Sequence, residues 1–245
     1  YGEYERDVLL GYGAYTDDEV SVSGSPRLDL DQAIGPAAAP GADDRAADRA
    51  LVRQEIGVAA GDRLLVVSTT NGPLVRRFYF ADILGRLFDG PLPGVHVVFK
   101  QHPGEADEGP YRQVIGGLAA VGGWEPPPMT LVRDIDLYRL LRAADAHLGF
   151  NSTVLTEAVL TGTPNLISAG QRFGDILGYV EAGVALPVRS NADLVAALAD
   201  PRAAEPAVRR AFVEAHFRDG DASARISAVI RAEVDARAGA GAGRG

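Results

Sequence analysis

The sequence predicts an α/β fold, a doubly wound parallel sheet with helices on both faces and further helices at the two ends of the chain. Short continuous apolar runs recur between residues 61 and 201, the pattern of strands buried on both faces. Segments with apolar residues three and four apart follow most of these runs, and helical crossovers between strands imply parallel pairing. A hydrophobic content of 47% over 245 residues is enough for a sizeable core.

The chain opens at Tyr1 on a helix-like segment, YGEYERDVLLGYG, without an initiator methionine, as a piece of a longer protein would. Residues 1–30 are expected to be the tail of an amino-terminal domain and the crossing from it, and 31–60 a linker and a helix. Within the latter, IGPAAAPGADD has the Pro, Ala and Gly content of a flexible connector. The strand candidates are RLLVVS (63–68), VHVVFK (95–100), MTLV (129–132), AHLGF (146–150), NLIS (165–168) and a weaker sixth, VALPV (184–188). Helical spacing marks 74–88, 111–121, 136–144, 153–160 and 192–198. Two more helices, 205–217 and 222–237, carry Val208, Ala211, Phe212 and then Ile226, Val229, Ile230, Val234 at spacings of three and four. Each is therefore expected to lie against a larger body. The terminal RAGAGAGRG has little that can pack, so 238–245 is expected to be a disordered tail.

Composition narrows the function. A formal charge of -9 argues against a general nucleic-acid or anionic-membrane surface, so any phosphate site has to be local. Without cysteine there are no disulfides and no thiolate metal sites, and the four histidines lack metal-ligand spacing. No apolar run is long enough to span a bilayer and no secretory signal opens the chain, which makes a cytoplasmic protein the expectation. There is no G-x-G-x-x-G after the first strand, no Walker Lys-Ser/Thr and no G-x-S-x-G elbow, which sets aside dinucleotide oxidoreductases, P-loop enzymes and common hydrolases. No metal or cofactor is expected.

In an open parallel sheet, ligands bind beyond the carboxyl ends of the strands. Three loops there are polar in a useful way: Thr69-Thr70-Asn71-Gly72-Pro73, Gln101-His102-Pro103-Gly104-Glu105, and the helix opening Asn151-Ser152-Thr153. The last offers side-chain donors beside the unpaired N–H groups of a helix start, where an anion is favoured; an ordinary helix cap is the other reading. Glu157 lies one turn in. Three residues on from Asn151, Ser152 or Thr153 stand Val154, Leu155 or Thr156, so Glu157 is no simple capping-box partner and is left to accept from a ligand. His102, held by the following proline, reads either as a loop histidine or as a donor to phosphate and proton shuttle. Lys100, two residues earlier on a strand, is expected on the same face and favours the phosphate reading. His96, His147 and His216 read as satisfied core or strand-edge residues. Asp134 and Asp136 read as the acidic start of a helix rather than paired catalytic carboxylates.

The order VSVSGSPRLDL, strand, Thr-rich turn, FKQHPGE, DLYRLLRAADAHLGFNSTVLTEAVLTGTPNLI, YVEAGVALPV and NADLVAAL resembles the carboxyl-terminal, Rossmann-like half of GT-B glycosyltransferases of bacterial surface and capsular polysaccharide synthesis. The His-Pro motif followed by a Ser/Thr-x-x-x-Glu-type motif is similar to that of sialyltransferases, Kdo transferases and CDP-glycerol glycerophosphotransferases. The resemblance implies a nucleotide-sugar-binding domain over 61–201, with His102 on the donor phosphate as the catalytic candidate. It also implies Ser152 and Thr153 on phosphate oxygens, Glu157 on the ribose or a nearby donor group, and the backbone around Val132, Arg133 and Asp134 facing the nucleobase. Thr69, Thr70, Asn71, Gly72, Lys100, Arg133 and Asn151 complete the expected donor site, and Gly24, Ser25 and Pro26 mark the interdomain crossing.

The expected function is binding of a CMP-, CDP- or UDP-linked sugar for transfer to a growing surface polysaccharide. The acceptor site would lie on an amino-terminal domain absent from this chain, through which peripheral membrane association could also arise, so the chain alone is not expected to be active. A sugar-nucleotide 2-epimerase of the same fold, and a non-catalytic nucleotide-sugar-binding module, are the alternatives.

Overall fold

Six strands and nine α-helices, with a short 3₁₀ turn at Asp17–Glu19, make up the regular structure of a computed structural model, which describes residues 2–13, 15–26, 42–70, 83–105, 110–150, 152–168, 175, 177–217 and 220–242. In chain order the elements are α1 (Glu3–Gly11), α2 (Ala42–Ile56), β1 (Arg63–Ser68), α3 (Gly85–Leu87), β2 (Val95–Lys100), α4 (Tyr111–Gly122), β3 (Met129–Val132), α5 (Leu137–Ala143), β4 (Ala146–Gly149), α6 (Val154–Thr161), β5 (Asn165–Ser168), β6 (Leu186–Val188), α7 (Asn191–Ala199), α8 (Pro206–His216) and α9 (Ala222–Ala242). Most of the expected helix over 74–88 lies outside the described residues. The chain divides into two compact units, one of Pro40–Arg209 and one joining Tyr1–Ala39 to Arg210–Gly245, so the division falls inside α8.

The larger unit holds the sheet. All pairings are parallel and the strand order is β3-β2-β1-β4-β5-β6. The continuous apolar runs have the predicted cause: β1 is covered on both sides. Leu65 and Val67 face Val97, Phe99 and Leu148 beneath Leu87, Phe88, Tyr111, Ile115, Leu194 and Leu198. Leu64 and Val66 face the other way with Val98, beneath Val52, Leu140, Leu141, Ala143 and Ala158. These strand residues are at most 1% exposed, and burying each such side chain contributes about 1.5–3 kcal/mol before chain entropy is charged.

Charged groups are used to pin the edges of this core. The Asp145 carboxylate, at the start of β4, accepts from Leu64 N–H at 2.7 Å and pairs with Arg49 and with Arg53 at 3.5 Å. Asp48 on α2 pairs with Arg139 at 3.3 Å and Arg142 at 2.8 Å on α5. Asp136 caps α5, accepting from Arg139 N–H at 2.8 Å, so the structural reading of that acidic pair holds for it.

The smaller unit brings the two ends of the chain together. The backbone of Gly2 lies directly against that of His216 and Phe217. The rings of Tyr4 and His216 stand 4.2 Å apart, Glu5 is 3.1 Å from His216 Nδ1, and Arg225 Nε donates to Ser23 C=O at 2.9 Å. Two expectations for this region need correction. Phe212 is buried, but Val229, Ile230 and Val234 are 45–58% exposed, so the apolar stripe on α9 is not covered as its spacing suggested. The helix also continues through Ala242, into the stretch expected to be a disordered tail. Alternating Ala and Gly is compatible with helix because alanine's propensity offsets part of the cost of glycine, about 1 kcal/mol each.

No described helix is long and apolar enough to cross a membrane. Among the described residues, no group of three or more His, Asp or Glu stands where a metal ion would be held.

Candidate functional site

The strand order reverses between β1 and β4, which are neighbours although five other elements, α3, β2, α4, β3 and α5, intervene between them in the chain. Loops leaving their carboxyl ends diverge to opposite faces and open a crevice, the place where such sheets take ligands. The register aligns Ser68 with Lys100, Lys100 with Val132 and Val67 with Leu148. Thr69, His102, Arg133 and Ser152 therefore follow four adjacent strand ends on one edge. At about 4.8 Å between strands, the ends of β2 and β4 lie about 10 Å apart with β1 between them. Asn71, Gly72 and Asn151 lie outside the described residues.

The loop after β2 has a defined shape. Glu105 N–H donates to His102 C=O at 2.9 Å, while His102 N–H reaches Glu105 Oε1 at 3.0 Å and Thr69 Oγ1 at 2.8 Å. Pro103 presets the bend and Gly104 completes it. Gly104 N–H donates to His102 Nδ1 at 3.0 Å. An Nδ1 that accepts a hydrogen bond carries no proton, so neutral His102 holds its proton on Nε2. The ring is exposed, and it presents an N–H donor without needing to be charged.

Glu105 is the residue the sequence reading passed over. It is 2% exposed, and its carboxylate accepts from His102 N–H, from Tyr111 Oη at 2.7 Å and from Thr69 Oγ1. The signal was the reciprocal spacing of His102 and Glu105, three apart around Pro-Gly, which has the form of a capping box without a helix.

Two expected ligand contacts are turned elsewhere. Thr69 is 4% exposed and its hydroxyl is engaged with His102 and Glu105, which leaves the half-buried Thr70 as the residue of the pair at the surface. Lys100 Nζ donates to the carbonyls of Arg133 at 2.8 Å and Gln101 at 3.3 Å. It ties the loop after β3 to the end of β2 rather than standing beside His102 as an open cation.

On the far side of the crevice, α6 starts at Val154 with Thr153 as its N-cap residue, whose side chain makes no capping bond. Ser152 Oγ accepts from Val154 N–H at 3.3 Å. Thr153 is exposed and Ser152 half-buried, so both hydroxyls stand at a helix start. Glu157, one turn in, is 2% exposed; it is a buried carboxylate just behind that start, not a solvated surface residue.

Below the crevice runs a buried polar chain. His147 on β4 is fully buried, with Nδ1 2.8 Å from Asn165 Oδ1 and Nε2 3.1 Å from Ser68 Oγ. Asn165 Nδ2 donates to Leu155 C=O at 3.0 Å, which orients the amide and assigns the histidine proton to Nδ1. Burial pushes the His147 imidazole down to about 4, against a partial rise from its bond to Asn165. His96 also has a partner, Thr130 Oγ1 at 2.8 Å, and His216 has Glu5; all three are satisfied, as read from the sequence.

No protein-family model matches the chain, and no curated protein matches it in sequence. Solved structures do resemble it. The Methanocaldococcus jannaschii UDP-GlcNAc 2-epimerase, solved with UDP-GlcNAc and UDP, is 14% identical at a TM-score of 0.56, over 94% of this chain and 59% of its own. MnaA of S. aureus, solved with UDP, is 16% identical at 0.53, over 96% and 60%. The carboxyl-terminal CMP-Kdo binding domain of WaaA from Acinetobacter baumannii aligns at 0.42 with 14% identity, over 71% of this chain and 96% of that domain. The chain thus spans about three-fifths of the length of the first two, and their likeness bears out the doubly wound, Rossmann-like fold expected for a GT-B carboxyl-terminal domain.

Proposed function

We propose that the chain binds a nucleotide-activated sugar across the carboxyl ends of β2, β1 and β4, as the donor-binding half of a glycosyltransferase of surface polysaccharide synthesis. The observation that carries this reading is the pairing of two anion-directed features on one crevice. The exposed Nε2–H of His102 stands on one side, and the α6 start with Ser152 and Thr153 on the other. A helix start and a neutral N–H donor suit a phosphate diester or diphosphate in a chain whose overall charge repels anions. Two structures of the same fold hold UDP or UDP-GlcNAc, which favours the ligand class.

In this reading Ser152, Thr153 and the α6 N–H groups hold phosphate oxygens, and Glu157 takes ribose hydroxyls or a nearby donor group. Arg133 and its neighbours line the base side. As the sugar leaves, His102 Nε2–H faces the phosphate oxygen that gains charge and stabilises it by a hydrogen bond, with no proton transferred. The acceptor and the base belong to a partner domain. A 2-epimerase acting on the same kind of donor is the second reading, favoured by the likeness to the M. jannaschii enzyme.

Titration calorimetry with CMP, CDP, UDP and UDP-GlcNAc tests this. Binding of at least one at millimolar concentration or better is expected; heat from none of them removes the donor-site reading. Preference for CMP or CDP supports a transferase, and preference for UDP-GlcNAc the epimerase. Glu157→Gln, which keeps the volume of a side chain only 2% exposed, is expected to weaken the preferred nucleotide by about tenfold, or about 1.4 kcal/mol, with the melting temperature little changed. A large drop in melting temperature with binding intact would make Glu157 structural.

A further inference from the structure

We propose that Glu105 is the positioning residue of this site, a buried carboxylate that locks the loops after β1 and β2 together and thereby fixes His102 with Nδ1 occupied and Nε2–H outward. The proposal rests on the donor-site reading for its ligand, but the positioning itself does not.

The geometry is over-determined in the way a positioning role requires. Glu105 takes donors from three different places: His102 N–H in its own turn, Thr69 Oγ1 from the loop after β1, and Tyr111 Oη from the first residue of α4. Tyr111 is itself fully buried and stacked on Phe99 at 4.7 Å. Thr69 is fixed as well, its N–H donating to Lys100 C=O at 3.1 Å. The carboxylate thus joins an exposed, short turn to the core and to the neighbouring loop. Burying a carboxylate is costly unless it accepts several hydrogen bonds, and a solvated Glu at this position would have avoided that cost.

The consequence for His102 is specific. A histidine on a free loop exchanges its proton between both nitrogens and swings among rotamers. Here the turn closed by Glu105 holds Gly104 N–H 3.0 Å from Nδ1, so one tautomer dominates and the donor nitrogen is the outer one. Binding to an anion then needs neither a tautomer change nor ordering of the ring, which is how pre-organisation raises affinity.

The test reads the imidazole directly. In the 15N-labelled full chain at a pH where His102 is neutral, long-range 1H–15N correlation is expected to show Nε2 protonated and Nδ1 bare. Glu105→Ala should shift His102 toward a mixture of tautomers and weaken CDP by roughly tenfold, while Glu105→Gln, which still accepts from His102 and can donate to Tyr111, restores most of both. A folded Glu105→Ala chain with unchanged His102 nitrogen shifts and unchanged CDP affinity would overturn the proposal. If Glu105→Ala does not fold, Thr69→Val keeps the side-chain shape and removes one of the three donors. It is expected to move the shifts the same way, and shifts that stay put count against the proposal. A wild-type chain that shows the single tautomer but binds no nucleotide would support the positioning role and sink the donor-site reading instead.

Discussion

His147 shows how much a single buried group can decide. Its imidazole is neutral in the folded chain because it is wholly buried and its two nitrogens are used by Asn165 and Ser68. Folding lowers it from 6.5 to about 4. Between those values the unfolded chain takes up a proton that the folded chain refuses, so the stabilisation is complete above about pH 6.5. It falls as the pH drops toward about 4, by a total of about 3 kcal/mol. A His147→Gln chain lacks the titrating group. Urea midpoints measured from pH 7.5 to 4 are expected to fall more steeply for the wild type than for the variant, by up to one proton's worth of slope. Parallel curves would mean that His147 is protonated as readily folded as unfolded. The network also ties β1, β4, β5 and, through Leu155, α6, so the same acidification should loosen the crevice from beneath.

At the level of elements, most of the larger unit was legible because its strands and helices obey simple periodicities. RLLVVS, VHVVFK, MTLV and NLIS form strands over the residues read as runs, and the sixth shortens to Leu186–Val188. One boundary moved for a capping reason, since Asp136 sits outside α5 as its N-cap, and Phe150 lies beyond the end of β4. What the pattern could not supply was side-chain direction. Nothing in the spacing of Lys100 or Thr69 says that one reaches sideways to carbonyls and the other inward to Glu105; those outcomes depend on residues 33 and 36 positions away. Helix ends offer a cleaner case. Gly123 and Gly162 end α4 and α6 in the left-handed region, at φ of 69° and 68°. An added Cβ meets nothing at Gly123, but comes 2.6 Å from Arg209 Nη1 at Gly162. Gly123→Ala is therefore expected to cost about 1 kcal/mol from backbone strain alone. Gly162→Ala should cost that much or slightly more, since a flexible arginine tip can move aside. Denaturant unfolding checks both; a Gly123→Ala chain as stable as wild type would remove the strain argument.

At the scale of the molecule, the parallel order β3-β2-β1-β4-β5-β6 creates the crevice, and the smaller unit raises a separate question, because it is made from two chain segments with the whole of Pro40–Arg209 between them. The amino-terminal part contributes the groups that complete α8: Gly2 packed on the His216 backbone, the Tyr4 ring, and the Glu5 carboxylate on His216. Burial raises the Glu5 carboxyl, but hydrogen bonds from His216 and from Gly2 N–H outweigh it and hold the group below its ordinary value. That contribution is present above pH 4.5 and is lost as the pH falls through the lowered value. Deleting residues 1–26 removes all of these groups at once and leaves Phe212 and His216, now 3% and 4% exposed, without them. Hydrogen exchange is expected to show protection of the amides of 212–217 falling by an order of magnitude or more. The amides of β1, β2 and β4 should keep theirs, because both cores of the sheet are built from residues of Pro40–Arg209 alone. Retained protection at 212–217 would show that α8 is held by something other than the start of the chain. Loss of protection throughout the sheet would instead make the two units one cooperative structure.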